Sequence, residues 1–355
     1  MENEELSKYV ARARDSLYFS GARIDTDLTR FLAVHADACE ELGRQCRSAP
    51  GPLFLVGSGG SYAALQTAKY ILDGLLSTST QVLTSYELIW RQPRSLGRDA
   101  VVLLASYSGE TEDTVAAARY ARASGARTIA IVGLGDTTLA RESDTAIVYG
   151  SSAIYEIPIV ALVLFAAGLA EGTSAAEAAL ALRKDLHELP DVLRRTLPRE
   201  EALAEQRARS LLRVQHVFVL GAGPMSPLAY KLAMSVFMEN IRISATFCDS
   251  AEWRHGPAEA LERLRGTFIV LLGTDPSREI SERAIDFCRS QGSEVSVVYD
   301  AAAFGKLNPL LAPVVMNSHT QWLIVYSAIL RGIVDLDARV FMGHHVLAAG
   351  GARWP

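Results

Sequence analysis

Cysteine is scarce in this chain of 355 residues: Cys39, Cys46, Cys248 and Cys288 are the only four, and no two form a Cys-x-x-Cys pair. That argues against a disulfide framework and a thiolate metal site, and leaves reduced thiols as the expectation. Positive charge is not in excess either, since the formal net charge is −5. An acidic chain is a poor match for nucleic acid or an anionic membrane surface. Long apolar runs are missing as well. The longest uncharged one, Ile157 to Ala170, falls short of the ~20 residues that span a bilayer, so it predicts a buried helix. The first residues, Met1-Glu2-Asn3-Glu4-Glu5, are acidic and unlike a secretion signal, so the expected location is cytoplasmic. His344 and His345 are adjacent and point apart in any regular element, and no Cys/His/Asp spacing completes a metal site. Neither a metal nor a cofactor is expected.

What is present is an apolar composition of 49%, enough for two ordinary domains with sizeable cores. The most informative stretch is Ser106-Tyr107-Ser108-Gly109-Glu110-Thr111. It follows a strand-like run, Ala100 to Ala105, and precedes a helix-like run, Thr114 to Ala121. Four hydroxyls (Ser106, Ser108, Thr111 and Thr114) therefore lie where a strand hands over to a helix. Such a turn offers unpaired N–H groups and the positive end of a helix dipole to an anion. No lysine or arginine lies inside the loop, and no Gly-Lys-Ser/Thr ending marks a nucleotide loop. Hydroxyl and amide capture of a small phosphate ester is the reading these residues support.

The chain also repeats itself. Leu53 to Gly59 resembles Val217 to Gly223, each an apolar run ending in Gly-x-Gly before a helical stretch (Tyr62 to Leu76, Pro227 to Asn240). Val101 to Ala105 pairs with Phe268 to Gly273, and Thr128 to Val132 with Glu294 to Tyr299. Apolar strands alternating with helices predict an α/β fold of parallel sheets flanked by helices, with ligands at the strand carboxyl ends. Gly57-Ser58-Gly59-Gly60-Ser61-Tyr62 lacks the third glycine of a dinucleotide fingerprint, and no carboxylate closes the next strand, Gln81 to Thr84. Beside the serine loop, Ser61 becomes a second wall of one phosphate pocket. The second half lacks the hydroxyl cluster, so phosphate is expected in the first half only. The first ~35 residues predict helices. The boundary is expected between Glu171 and Arg213, a stretch read as connecting helices broken at Pro190 and Pro198.

A second cluster surrounds Glu239 and His255. In His255-Gly256-Pro257 the proline prevents a helix from continuing, so the imidazole is presented from a turn, either as a loop cap or as a proton carrier. Glu239 follows the apolar run Leu232 to Met238, which makes it a salt-bridge partner or a general base.

These residues together resemble the sugar isomerase (SIS) domain family. The likeness rests on Ser106-x-Ser108-Gly109-Glu110-Thr111-x-x-Thr114 behind Gly57-x-Gly59-x-Ser61-Tyr62, with Glu252-x-x-His255-Gly256-Pro257 downstream. It is similar to the isomerase half of glucosamine-6-phosphate synthase. A nearer likeness is to fructosamine-6-phosphate deglycases of the fructoselysine-6-phosphate type, through Tyr230 to Ala233, Phe237 to Glu239 and Ser250 to Glu259. Leu271 to Arg278 and Glu282 to Phe287 also fit.

The resemblance implies two tandem SIS domains, each a flavodoxin-like three-layer αβα unit. Its expected divisions are a helical segment at 1–34, a first domain at 35–180, connecting helices at 181–212, a second domain at 213–345 and a tail at 346–355. It implies proton transfer by Glu239 and His255, and sugar-phosphate contacts from Gly60, Ser61, Ser106, Tyr107, Ser108 and Thr111. It further implies a homodimer in which the His255 turn enters the neighbouring subunit's pocket. Two departures matter. The synthase's glutaminase domain has no counterpart here, so ammonia from glutamine is not expected. Its lysine near the carboxyl terminus is also missing from Arg339 to His345, where His344 is the candidate tail contact. The implied reaction is deglycation of a 6-phosphorylated fructosamine to glucose 6-phosphate and a free amine. Aldose–ketose isomerisation, deamination of a 6-phospho-aminosugar and non-catalytic sensing are the alternatives.

Overall fold

The computed structural model describes residues 3–17, 19–48, 51–263 and 266–340. Helices α1 (Asn3–Ala13) and α2 (Ile24–Cys46) lead into the first sheet, as the lack of strand signal there predicts. The sheet alternates β1 (Leu53–Gly57), α3 (Gly59–Leu75), β2 (Thr80–Thr84), α4 (Ser85–Arg91), β3 (Val101–Ser106), α5 (Glu112–Ala123), β4 (Arg127–Val132), α6 (Thr138–Glu142) and β5 (Thr145–Val148). Helices α7 (Glu156–Ala170) and α8 (Ala176–Ser210) follow. The second sheet contains β6 (His216–Gly221), β7 (Ser244–Asp249), β8 (Thr267–Leu272) and β9 (Glu294–Asp300). Around it lie α9 (Ser226–Lys231), α10 (Arg278–Ser290) and α11 (Ala312–Leu330).

Both sheets are parallel, with strand orders β2-β1-β3-β4-β5 and β7-β6-β8-β9. Among the described residues the second repeats the winding of the first with four strands. The reversal of strand order lies between β1 and β3 in one sheet and between β6 and β8 in the other, where such folds bind ligands.

Side chains alternate across each strand, and this sorts the core. Leu53 and Leu55 face inward with Val217 and Val219 into one shared apolar core, together with α2, α7, α8 and α11. Phe54 and Val56 face outward under α5, while Phe218 and Leu220 pack around Trp253. The run from Ile157 is a buried helix, α7, packed against α2, α3 and α8. A helix that is apolar all round has nowhere else to go in water.

One expectation is corrected. The stretch read as several helices broken at Pro190 and Pro198 is a single helix of 35 residues that contains both prolines. Leu186, Leu189, Val192, Leu193 and Leu197 bury one of its faces in the shared core. That burial offsets the backbone hydrogen bonds lost at the prolines, each worth ~1 kcal/mol. This segment is a wall of the core.

Candidate active site

The serine loop crosses from β3 to α5 and is held by its own hydroxyls. Ser106 and Thr111 share a hydrogen bond of 2.8 Å, and Thr111 lies 3.5 Å from Ser108 Oγ. The N–H groups of Gly109 and Glu110 donate to Ser106 Oγ and Ser108 Oγ, each at 3.2 Å. Gly109 has φ +62°, and a Cβ there would collide with the Thr137 side chain. Only glycine tolerates both conditions. Glu110 reaches outward and accepts from the Thr138 N–H at 2.8 Å and its hydroxyl at 2.7 Å. The loop is thus braced from outside and presents Tyr107, Ser108 and Thr111 half-buried, with Ser106 beneath them.

The glycine loop comes off the neighbouring strand, since Gly57 pairs with Ala105. Its Ser58 hydroxyl donates to Asp113 Oδ2 at 2.5 Å and contacts Ser85 Oγ at 3.2 Å, which in turn reaches Thr114 at 2.9 Å. This chain ties the start of α3 to the start of α5. Gly60 and Ser61, both half-buried, therefore sit at the carboxyl end of the strand beside the serine loop. The first turn of α3 carries no acidic residue, whereas α5 begins with Glu112 and Asp113. An anion is therefore drawn to α3 more than to α5.

The equivalent turn of the second sheet is filled from within. Asp275 Oδ2 accepts from the Ser277 N–H at 3.0 Å, and the Asp275 and Ser277 side chains crowd the place a Gly223 Cβ would take. A carboxylate standing there is unfavourable to an anion.

Glu239 lies on a π-helical stretch, Leu232–Ile241, that continues α9 and ends at Arg242 in a left-handed conformation. Such widened turns recur at functional sites. Arg339 donates Nε–H to Glu239 Oε1 at 2.5 Å, forming a salt bridge. His255 is exposed on the turn between Glu252–Arg254 and Pro257–Glu262, with Gly256 at φ 141°. Trp253, 2% exposed, anchors that turn against Phe218 and Phe268. The imidazole Nε2 accepts from Arg254 Nε at 3.2 Å, and no hydrogen bond or ion pair joins His255 to Glu239 among the described residues. The expected tail contact, His344, and the tail at 346–355 lie outside the described residues.

Sequence reasoning missed a buried polar network behind this site. Lys231 donates to Asn317 Oδ1 at 2.6 Å, and Asn317 Nδ2 donates to Glu156 Oε1 at 2.7 Å. Ser318 also donates to that oxygen at 2.9 Å, while Glu156 Oε2 has no hydrogen-bond partner among the described residues. Burial pushes the Lys231 ammonium down to about 8, against the pull of Glu156 and Glu239. The signal was a lone charge in each apolar run, at Lys231 and at Glu156.

A groove of about 750 Å³ between the sheets is lined by Tyr62, Tyr70, Tyr230, Phe247, Asp249 and Glu252, among others. It meets the glycine loop at Tyr62 but includes neither the serine loop nor Glu239. The chemistry of the hydroxyl loop, not the size of this groove, locates the candidate site. Among the described residues no group of three His, Cys, Asp or Glu side chains could hold a metal ion.

The SIS domain profile matches residues 48–182. The fructoselysine 6-phosphate deglycase of Escherichia coli O157:H7 is 30% identical over 293 residues, covering 82% of this chain and 85% of that protein. The fructosamine deglycase FrlB of Bacillus subtilis is 30% identical over 279 residues, covering 75% and 83%. A Bacillus subtilis crystal structure, described as a phosphosugar isomerase candidate, superposes with a TM-score of 0.74 at 28% identity, covering 83% of this chain and 92% of that one. On this fold, with this loop and this breadth of similarity, the chain belongs to the SIS-domain family that contains the fructoselysine 6-phosphate deglycases.

Proposed function

We propose that the protein is an enzyme that cleaves a 6-phosphorylated fructosamine to glucose 6-phosphate and a free amine. The observation that carries this reading is the similarity to deglycases across four-fifths of the chain, from the serine loop through Glu239 and His255. The two similarly wound sheets are read as tandem SIS domains, with the first domain, at 35–180, holding the phosphate and the second, at 213–345, supplying the acid and base. The working unit is a homodimer in which the exposed His255 turn serves the neighbouring pocket.

In this mechanism the phosphate is held by Gly60, Ser61, Ser106, Tyr107, Ser108 and Thr111. His255 opens the sugar ring by moving a proton from the anomeric hydroxyl to O5. Glu239 takes a proton from C1; the C–H pair becomes the C1=C2 bond of an enaminol, and O2 gains a proton. Return of a proton to C2 leaves a C1 imine. Water adds at C1, the amine departs with the proton it needs, and the aldehyde of glucose 6-phosphate remains. Each well-placed acid or base contributes ~100- to 10,000-fold.

The test is incubation with a panel of 6-phosphofructosamines of different amines, scoring glucose 6-phosphate release. Release from at least one member supports the reading. Silence across the panel with ammonia release from glucosamine 6-phosphate transfers the assignment to a deaminase, and stabilisation by phosphosugars without turnover of any kind transfers it to a sensor.

A further inference from the structure

The loops that face the sugar phosphate carry no lysine or arginine of their own. The fold supplies one from the other half of the chain. Lys231, at the end of α9, is 6% exposed, and its Cε lies 3.9 Å from the place a Gly60 Cβ would occupy. Gly60 is in the first turn of α3, the helix whose positive end no acidic residue neutralises.

We propose that Lys231 binds an anionic oxygen of the phosphosugar at the first turn of α3, as the cation of a site whose other groups come from the first sheet. This rests on the phosphosugar reading above. An ammonium has three N–H donors. Asn317 Oδ1 takes one, and the Tyr155 ring lies 5.1 Å from Nζ. A buried lysine held on one side by an amide and a ring, and bordering a glycine with no side chain, can turn its remaining donors toward that turn. Beside the helix end, in a poorly solvated place, one positive charge acts far more strongly on an anion than it would in water.

Glu156 makes this arrangement stable without ligand. It is fully buried, and Asn317 links it to Lys231. Glu156 works against the desolvation that lowers the Lys231 ammonium. The titratable groups around Lys231 are Glu156 at the start of α7, Tyr155 just before it and Glu239 on the π-helical stretch. Of these, Tyr155 has its phenol pushed upward by burial, which keeps it neutral in the range where the lysine titrates. With Lys231 near 8, phosphosugar affinity is expected to fall as pH rises through that value, because the cation is lost.

The test uses the full chain and glucose 6-phosphate as the probe, with binding read by calorimetry. Lys231→Met alone strands the Glu156 carboxylate and is expected to lose stability. The double variant Lys231→Met with Glu156→Gln removes both charges and recovers most of it. The expected result is a stable double variant that binds glucose 6-phosphate about ten- to a hundredfold more weakly, the worth of one charged hydrogen bond. Equal affinity in the double variant and the natural protein overturns the role of Lys231 and leaves the phosphosugar reading standing. Should the double variant not fold, the natural protein decides: affinity that falls between pH 7 and 9.5 supports the proposal, and a flat profile overturns it. If the natural protein binds no hexose 6-phosphate at any pH, both readings fall together.

Discussion

Arg339 grips Glu239 and its neighbour at once: Nε donates to Glu239 Oε1 at 2.5 Å, and Nη2 donates to Asn240 Oδ1 at 3.0 Å. Nη1 donates to the Leu336 carbonyl, also at 2.5 Å. The guanidinium side chain is 7% exposed and the carboxylate 23%. One oxygen of Glu239 is therefore engaged by a residue a hundred positions downstream, and on the proposed function this leaves the other oxygen to act as the base. Arg339→Lys cannot make the forked contact. It is expected to lower kcat about tenfold or more with little change in KM, and Arg339→Ala is expected to regain rate on addition of free guanidinium. An unchanged kcat in both variants would remove Arg339 from the site.

Glu239→Gln preserves shape and hydrogen bonding while abolishing basicity, and His255→Ala removes an exposed ring that supports no packing. Each is expected to lower turnover of the responsive 6-phosphofructosamine by ~100-fold or more, with the melting temperature nearly unchanged. Because His255 is read as serving the partner's pocket, co-expressing the two variants should restore part of the activity in mixed dimers. Failure of that complementation, with both single variants inactive, would place both groups in one subunit's site.

Thr111 Oγ1 is the hub of the serine loop, with Ser106 at 2.8 Å and Ser108 at 3.5 Å. Thr111→Val keeps volume and removes the hub. It is expected to raise KM for the phosphosugar about tenfold, the scale of a lost hydrogen bond of ~1 kcal/mol or slightly more, and to leave affinity for a phosphate-free fructosamine unchanged. Equal losses for both compounds would show that the loop does not read phosphate.

His319 is a buried imidazole that sets an acid limit on stability. It is 3% exposed and bonded to Thr196 Oγ1 at 2.8 Å. Burial, then the nearby Arg207, push it down to about 3. Glu200, 3.9 Å away, forms no charge pair with a neutral ring, because it is engaged by Arg207. As pH falls from 6.5 toward 3 the unfolded chain binds a proton that the folded chain refuses, so stability is lost across that window. Urea melts of the natural protein and His319→Gln at pH 7 and pH 4.5 check this. The variant should lose less stability on acidification, and parallel losses would assign the acid sensitivity to other groups.

Much of the fold was legible because parallel strands buried on both faces are written as short apolar runs. Leu53 to Val56 and Val217 to Leu220 could be paired by eye, and each became the strand beside which its sheet changes direction. The serine loop was legible for a related reason. Ser106, Gly109 and Thr111 bond within a few residues of one another, and contacts that local leave their mark in local spacing. The helix through Pro190 and Pro198 was not legible, since tertiary burial of its leucines outweighed the local penalty.

The sequence by itself determined the α/β class, the two parallel sheets, the hydroxyl loop and the presentation of His255 from a Gly-Pro turn, all consequences of short-range patterning. Only the tertiary structure decided what surrounds Glu239 and the turns at the strand ends. Asp275 fills the turn after β8, Lys231 comes to border Gly60, and Arg339 closes on Glu239. Lone charges in apolar runs announce that some partner exists. Which partner it is depends on how helices far apart in the chain pack, because a buried charge must find its counterpart across space and not along the sequence.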